Sequence, residues 1–199
     1  MEHSDYYKDL VKKTNHRFPK QIKQIYLLSR KYYDKLLEDA EEMSQAKYEL
    51  VSDIIFPSIA IYQAVIKYIG DADIAYEIVS RSYEDYFLEK TEKLRNMCKN
   101  SLAFYLIPSM AGDFIKKNYS EKEGFKIINR SKGMKTCHYD IVECPYHHFC
   151  KAYQCEELTT AFCDAADQAF EHLHRGISWD RTMAIGRGDD RCDFIINID

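Results

Sequence analysis

The stretch GFKIINRSKGMKTCHYDIV, residues 124–142, is where the chain changes character. Phe125 to Asn129 is a short β-prone run. Ser131-Lys132-Gly133 is turn chemistry, and Lys135 to Val142 supplies β-branched and aromatic residues, so a hairpin is predicted. Upstream, apolar residues recur at helical spacing. Pro19 suits a first helical turn, and Ile22, Ile25, Leu28, Tyr32, Leu36, Ala40 and Met43 then form one stripe. Pro57 opens a second helix bearing Ile59, Tyr62, Val65, Ile66 and Ile69, with Gly70 as its C-cap. Asp71 or Asp73 caps a third, carrying Ile74, Ile78, Tyr83, Phe87, Leu94 and Met97. A fourth apolar stretch, Leu102 to Ile115, is interrupted by Pro108 and Gly112. These wide aromatic stripes indicate core packing and no particular function.

Downstream of the hairpin comes a Cys- and His-rich loop, Cys144 to Cys155, then a helix from Glu156 to His174. Leu158, Phe162, Ala165, Ala169 and Leu173 line that helix's core stripe, and Arg175-Gly176 ends it. The last residues read as two strands, from Ile177 to Ile185 and from Cys192 onward, joined by a Gly186–Asp190 turn. The fold class expected is α+β: an N-terminal helical layer packed on a small antiparallel sheet with one further helix. Residues 1–199 form one domain, with 1–118 as its helical part and 125–199 as sheet plus helix.

Composition narrows the function. The 199 residues are 46% hydrophobic and 30% charged, with only 7 Gly and 4 Pro, which excludes a disordered or low-complexity chain. The net charge of -4 lacks the basic excess of a general nucleic-acid binder. No uninterrupted apolar run reaches about 20 residues, and the N-terminus MEHSDYYKDLVKK is polar. A cytoplasmic protein with a small-molecule partner, no nucleic acid and no membrane is expected, with a homo-oligomer left open. Its seven cysteines then read as thiols, catalytic groups or metal ligands rather than disulfides.

Six of those cysteines lie between residues 137 and 192. On the predicted helix, Cys163, Asp167, Phe170 and His174 share a side distinct from the core stripe, which places a thiol one turn from a carboxylate. The bland alternative is a buried Cys163 beside a solvated Asp167. On the following strand, Ile177, Trp179, Met183 and Ile185 point one way, and Arg181 falls among them. A guanidinium there needs an anion, either Asp167 or a ligand carboxylate, unless it snorkels to the sheet edge. Cys192 opens the last strand, beside the Met183–Ile185 end of its partner. Cys144, His147, His148, Cys150 and Cys155 offer soft ligands for Zn²⁺, but their spacing lacks the paired C-x2-C of common structural zinc sites. No cofactor is therefore expected, with zinc as the alternative.

The C-terminal third resembles the L-2-amino-thiazoline-4-carboxylic acid hydrolase family. The matching pieces are Cys144-Pro145, Glu157-Leu158, Phe162-Cys163-x-x-x-Asp167, Arg181-Thr182 and Gly186-x-Gly188-Asp189-Asp190-x-Cys192-Asp193-Phe194. Pro57-x-x-Ala60-x-Tyr62 fits more loosely. The G-x-x-x-C-x-F end is also similar to the small-ligand domain related to vinyl reductases. The first resemblance implies hydrolytic opening of a cyclic amidine, 2-amino-thiazoline-4-carboxylate, to a carbamoyl-cysteine. Under it, Cys163, Cys192 or Cys144 supplies a thiolate, Asp167 moves a proton or holds the amidinium, and Arg181, with Trp179 beside it, fixes the substrate carboxylate. The alternative function is a non-catalytic small-molecule or metal-binding sensor using the same pocket.

Overall fold

The computed structural model describes residues 4–40, 43–99, 106–133, 135–171, 173–174 and 176–198. Leu102, His172 and Arg175 lie outside the described residues, as do the side chains of Met97 and Cys98.

From residue 4 to residue 118 the described chain is helical. It comprises α1 (Asp5–Arg17), α2 (Ile22–Glu38), α3 (Gln45–Leu50), α4 (Phe56–Ile69), α5 (Ala72–Cys98) and α6 (Ile107–Asn118). The first of these has no counterpart in the sequence reading. Ser4 caps it, accepting the Tyr7 N–H at 3.2 Å, and Tyr6, Tyr7, Leu10 and Thr14 turn inward.

Pro57 does not open a helix, as expected, but sits inside one. Helices α3 and α4 are joined by a π-helical turn, Val51–Ile55, into one rod from Gln45 to Ile69. A proline has no N–H, so the carbonyl four residues before it loses its regular partner. Here that is the Asp53 carbonyl, and the Ser4 hydroxyl donates to it at 2.8 Å. The Ser52 carbonyl likewise accepts from the Tyr33 hydroxyl at 3.0 Å. The rod is long and apolar enough to cross a membrane, yet 72% of its most apolar window is buried inside the protein. It packs on α1, α2 and α5. Gly70 ends it as expected, in the left-handed region at φ 82°. The Asp71 carboxylate then accepts the Ile74 N–H at 3.0 Å at the start of α5.

The sheet follows: β1 (Lys126–Lys132), β2 (Thr136–Glu143), β3 (Ile177–Asp180) and β4 (Cys192–Ile198), in the antiparallel order β1-β2-β4-β3. The predicted hairpin is β1–β2. One sheet face is the core: buried Cys137, Tyr139 and Ile141 on β2, and Cys192, Phe194, Ile196 and Ile198 on β4, the last four alternating with half-buried neighbours. Tyr139 lies opposite Phe194, and their rings stack at 4.9 Å. On the other face Asp140 is also buried, held by Arg130 at 2.7 Å and Arg191 at 3.5 Å.

Two expectations need correction. The Cys- and His-rich segment is not a loop: Pro145 starts α7 (Pro145–Ala152), which buries Tyr146, Phe149 and Cys150. The strand expected over Ile177–Ile185 stops at Asp180, because Asp193 takes over the backbone N–H groups that would continue the ladder. A 3₁₀ turn, Glu156–Leu158, leads into α8 (Thr159–Glu171), which ends three residues before His174. The core stripe is as read, with Phe162, Ala165 and Ala169 on α8, Leu158 in the turn before it and Leu173 beyond it all buried. Phe170 joins the core too, stacked on Trp179 at 4.4 Å.

Helix α5 is the spine: α1, α4 and α6 pack along it, and so does α8, which carries it onto the sheet through β3. The family-like motifs meet across this layer, for the Tyr62 hydroxyl on α4 donates to the Glu157 carboxylate at 2.5 Å. Tyr62→Phe is expected to cost about 1 kcal/mol, a net hydrogen bond to a solvent-reachable carboxylate, read as a lower urea midpoint at unchanged slope.

Candidate active site

Between α8, β4 and the N-terminus of α7 lies a small cavity of about 40 Å³. Cys144, Cys163 and Cys192 line it together with Arg181. Each arrives from a different element: Cys144 is the N-cap of α7, Cys163 sits in the second turn of α8, Cys192 starts β4, and Arg181 follows β3. Phenol rings close the wall, from Tyr83 on α5, Tyr119 at the end of α6 and Tyr146 on α7. Tyr83 donates to the Tyr146 hydroxyl at 2.9 Å.

Arg181 has a side chain only 3% exposed. Its Nη2 donates to Asp167 on α8 and, at 3.4 Å, to the Cys163 carbonyl. The guanidinium also lies over the Phe194 ring at 5.4 Å. Its Nε is buried with no hydrogen-bond partner. Asp167 is therefore the anion for this buried guanidinium just past the end of β3, but it engages Nη2 and leaves Nε unmet. Asp167 stands outside the cavity wall, where Trp179 donates to it at 3.3 Å and Arg187 at 3.5 Å. Asp164 pairs with Arg187 at 2.7 Å, so two carboxylates and two guanidiniums form one network behind the thiols.

The loop that delivers Arg181 and Cys192 is held by its own acids. Asp193 accepts from the N–H groups of Thr182 at 2.8 Å and Met183 at 2.6 Å, and from the Thr182 hydroxyl at 2.6 Å. Burial raises the Asp193 carboxyl, but these hydrogen bonds outweigh it and hold it below the usual carboxylate range. Asp189 accepts the Ala184 N–H at 2.7 Å, and Gly188 turns the chain at φ 97°. Gly186 allows close approach: a Cβ there would meet Thr159 Cγ2 at 2.8 Å and Cys163 Sγ at 3.1 Å. Gly186→Ala is expected to push the loop off α8, costing roughly 1–3 kcal/mol of stability and displacing Cys163 from Arg181. A crystal structure of the variant with its denaturation curve checks both; an unmoved loop at full stability contradicts the packing argument.

All three cavity thiols are protonated at neutral pH. Burial pushes Cys144 up to about 12, against the opposing pull of the His147 and Tyr146 N–H groups. Cys192 is pushed up to about 11 by burial, although the Ile185 N–H donates to its sulfur at 3.2 Å. Cys163 is raised by burial as well, with Arg181 beside it acting in the opposite direction.

The other expected residues lie elsewhere. His147 and His148 face a separate, open cleft of about 640 Å³ outside α7, which Cys144 also borders. Cys150 and Cys155 are core residues, with the Cys155 thiol donating to the Cys150 carbonyl at 3.4 Å. Among the described residues no group of three His, Cys, Asp or Glu is placed to hold a metal ion. The His174 Nδ1 accepts the Gly176 N–H at 3.1 Å in the turn after α8. The sequence reading missed Tyr83, Tyr119 and Tyr146. Tyr83 lies in a helical stripe that also reads as core, and nothing local marks Tyr119.

No curated protein and no solved structure matches the chain. The family model for L-2-amino-thiazoline-4-carboxylic acid hydrolase matches residues 47–196 and so spans every cavity residue named above. The chain belongs to the L-2-amino-thiazoline-4-carboxylic acid hydrolase family.

Proposed function

We propose that this protein is a hydrolase that opens the C–N bond of a cyclic amidine bearing a carboxylate, as 2-amino-thiazoline-4-carboxylate does. One observation carries the reading: the Arg181 Nε is buried and unpartnered, and Arg181 lines a cavity that three thiols also line. A buried donor left unmet costs free energy that a bound acceptor recovers. A carboxylate suits it, since a guanidinium donates from several N–H groups: Nη2 donates to Asp167, and Nε is left for the ligand. The carboxylate on Arg181 then sets the ring carbon of the amidine against Cys144, Cys163 or Cys192, any of which can attack it. Asp167 acts from behind as the counter-ion that fixes Arg181, and Trp179 orients Asp167. Two carboxylates and two guanidiniums leave the network of Asp164, Asp167, Arg181 and Arg187 with no net charge.

The free volume holds about three water molecules, so a five-membered ring enters only when a wall residue swings aside. Tyr119 and Tyr146 are placed for this, since they also border a cleft of about 210 Å³ that reaches the surface between α3 and α5. A small-molecule partner in a reducing cytoplasm agrees with thiols kept unpaired.

The test is a turnover screen on paired rings. The protein should open 2-amino-thiazoline-4-carboxylate and fail on 2-amino-thiazoline, which has the amidine without the acid. Arg181→Lys, which keeps a charge but has no Nε fork, should lose the same discrimination. Equal rates on both rings would remove Arg181 from recognition. Binding of the acid without turnover favours the sensor function, which the protonated thiols support.

A further inference from the structure

Opening a ring by thiol attack needs a proton acceptor, and the amidine-opening reading leaves that acceptor unidentified. The polar groups of the described cavity wall are three thiols, the Arg181 guanidinium, and the phenols of Tyr83, Tyr119 and Tyr146. Among the described residues the wall has no carboxylate and no imidazole. The nearby carboxylates are engaged: Asp164 with Arg187, Asp167 with Arg181 and Arg187, and Asp193, next to Cys192, with Thr182 and the Met183 N–H. His147 and His148 face the cleft on the far side of Cys144. Burial holds the three phenols above their ordinary range, so they stay protonated and cannot act as the base.

We propose that the acceptor is the ligand: the neutral amidine nitrogen takes the S–H proton of the attacking cysteine, so the site opens rings carrying a basic amidine and leaves neutral rings of the same shape intact. The inference rests on the function proposed above. Proton transfer gives a thiolate and an amidinium, the more electrophilic form of the carbon. The sulfur pair forms the S–C bond while the C=N π pair moves to nitrogen. The ring C–N bond then breaks with its electron pair on the ring nitrogen, which leaves as an amine and takes a proton from the exocyclic nitrogen. Water adds across the C=N bond that remains, and the cysteine departs with its bonding pair and the hydroxyl proton. One water is consumed and nothing is oxidised or reduced. A buried thiol with no protein base is then inert until the right ligand arrives, which protects it from other electrophiles.

The experiment measures kcat/KM against pH for several 2-amino-thiazoline-4-carboxylates whose ring substituents change the basicity of the amidine. The neutral 2-oxothiazolidine-4-carboxylate serves as the same-shaped control. The acid limb of kcat/KM is expected at each ligand's own pKa and should move with it one for one. The oxo ring should be opened at least ~100-fold more slowly, the low end of what positioned proton transfer contributes. A limb at one pH for the whole series identifies a protein base and overturns the proposal while amidine opening stands. Turnover that survives Cys144→Ser, Cys163→Ser and Cys192→Ser in turn overturns it as well, again leaving amidine opening in place. Failure to open any of the amidines overturns both.

Discussion

Arg181→Ala is expected to weaken binding of 2-amino-thiazoline-4-carboxylate by about 30- to several thousand-fold, the equivalent of roughly 2–5 kcal/mol for one partner of a buried charge pair. The same change also costs folding stability, because it removes the main partner of Asp167. Breaking a buried pair typically costs about 3–5 kcal/mol. The low end applies here: Asp167 is 25% exposed and keeps Arg187 at 3.5 Å and the Trp179 N–H at 3.3 Å. Arg181→Lys separates the two effects. A lysine ammonium can still pair with Asp167, so the urea midpoint should stay near wild type, but it presents no second face to a ligand carboxylate. Calorimetric titration and urea denaturation of both variants decide the matter. If Arg181→Lys binds as wild type does, the free Nε plays no part in recognition, and the guanidinium serves only to join α8 to the sheet.

That outcome was half visible in the sequence. The alternation set Arg181 between Trp179 and Met183, where it needed Asp167 or a ligand carboxylate unless it snorkelled to the sheet edge; β3 ends one residue before it, and the pair with Asp167 forms all the same. The structure adds that Nη2 donates to Asp167 while Nε is buried without a hydrogen-bond partner. The stripe of α8, the β1–β2 hairpin and the Gly70 stop were legible because each depends on neighbours within a few residues. The continuity of the Gln45–Ile69 rod through Pro57 was not, since the donors that replace the missing N–H come from Ser4 and Tyr33, far away in the chain. Helix α7 was misread as a loop because its Cys and His residues have low helix propensity, and only burial of Tyr146, Phe149 and Cys150 makes the turns worth forming. The same limit hid the phenol wall. Tyr83, Tyr119 and Tyr146 are far apart in sequence, and no periodicity reports that three helices aim them at one cavity.

The alkaline side of the stability profile should be set by the cavity thiols. Cys144 and Cys192 ionise near 9 when exposed, and in the folded protein burial moves them up to about 12 and about 11. A raised folded value means that the folded state holds its proton longer than the unfolded state does. The stability gained is fully present below about pH 9 and is lost as pH rises toward the folded values. Each pH unit in that window removes up to about 1.4 kcal/mol per thiol, so by about pH 11 each costs on the order of 2–3 kcal/mol. Buried tyrosines such as Tyr7 and Tyr33, both raised to about 12, add a loss that begins near pH 10. A Cys144→Ser, Cys192→Ser double variant separates the contributions, since serine does not titrate there. The variant starts lower at about pH 8, because two buried hydroxyls replace two soft apolar sulfurs. Its stability should then fall less steeply than wild type, and the two curves should converge by about pH 11. Parallel curves between about pH 8 and pH 11 would mean that the sulfurs are as ionisable as free cysteine. The resting cavity would then already hold a thiolate at mildly alkaline pH, and the amidine would have no proton left to take.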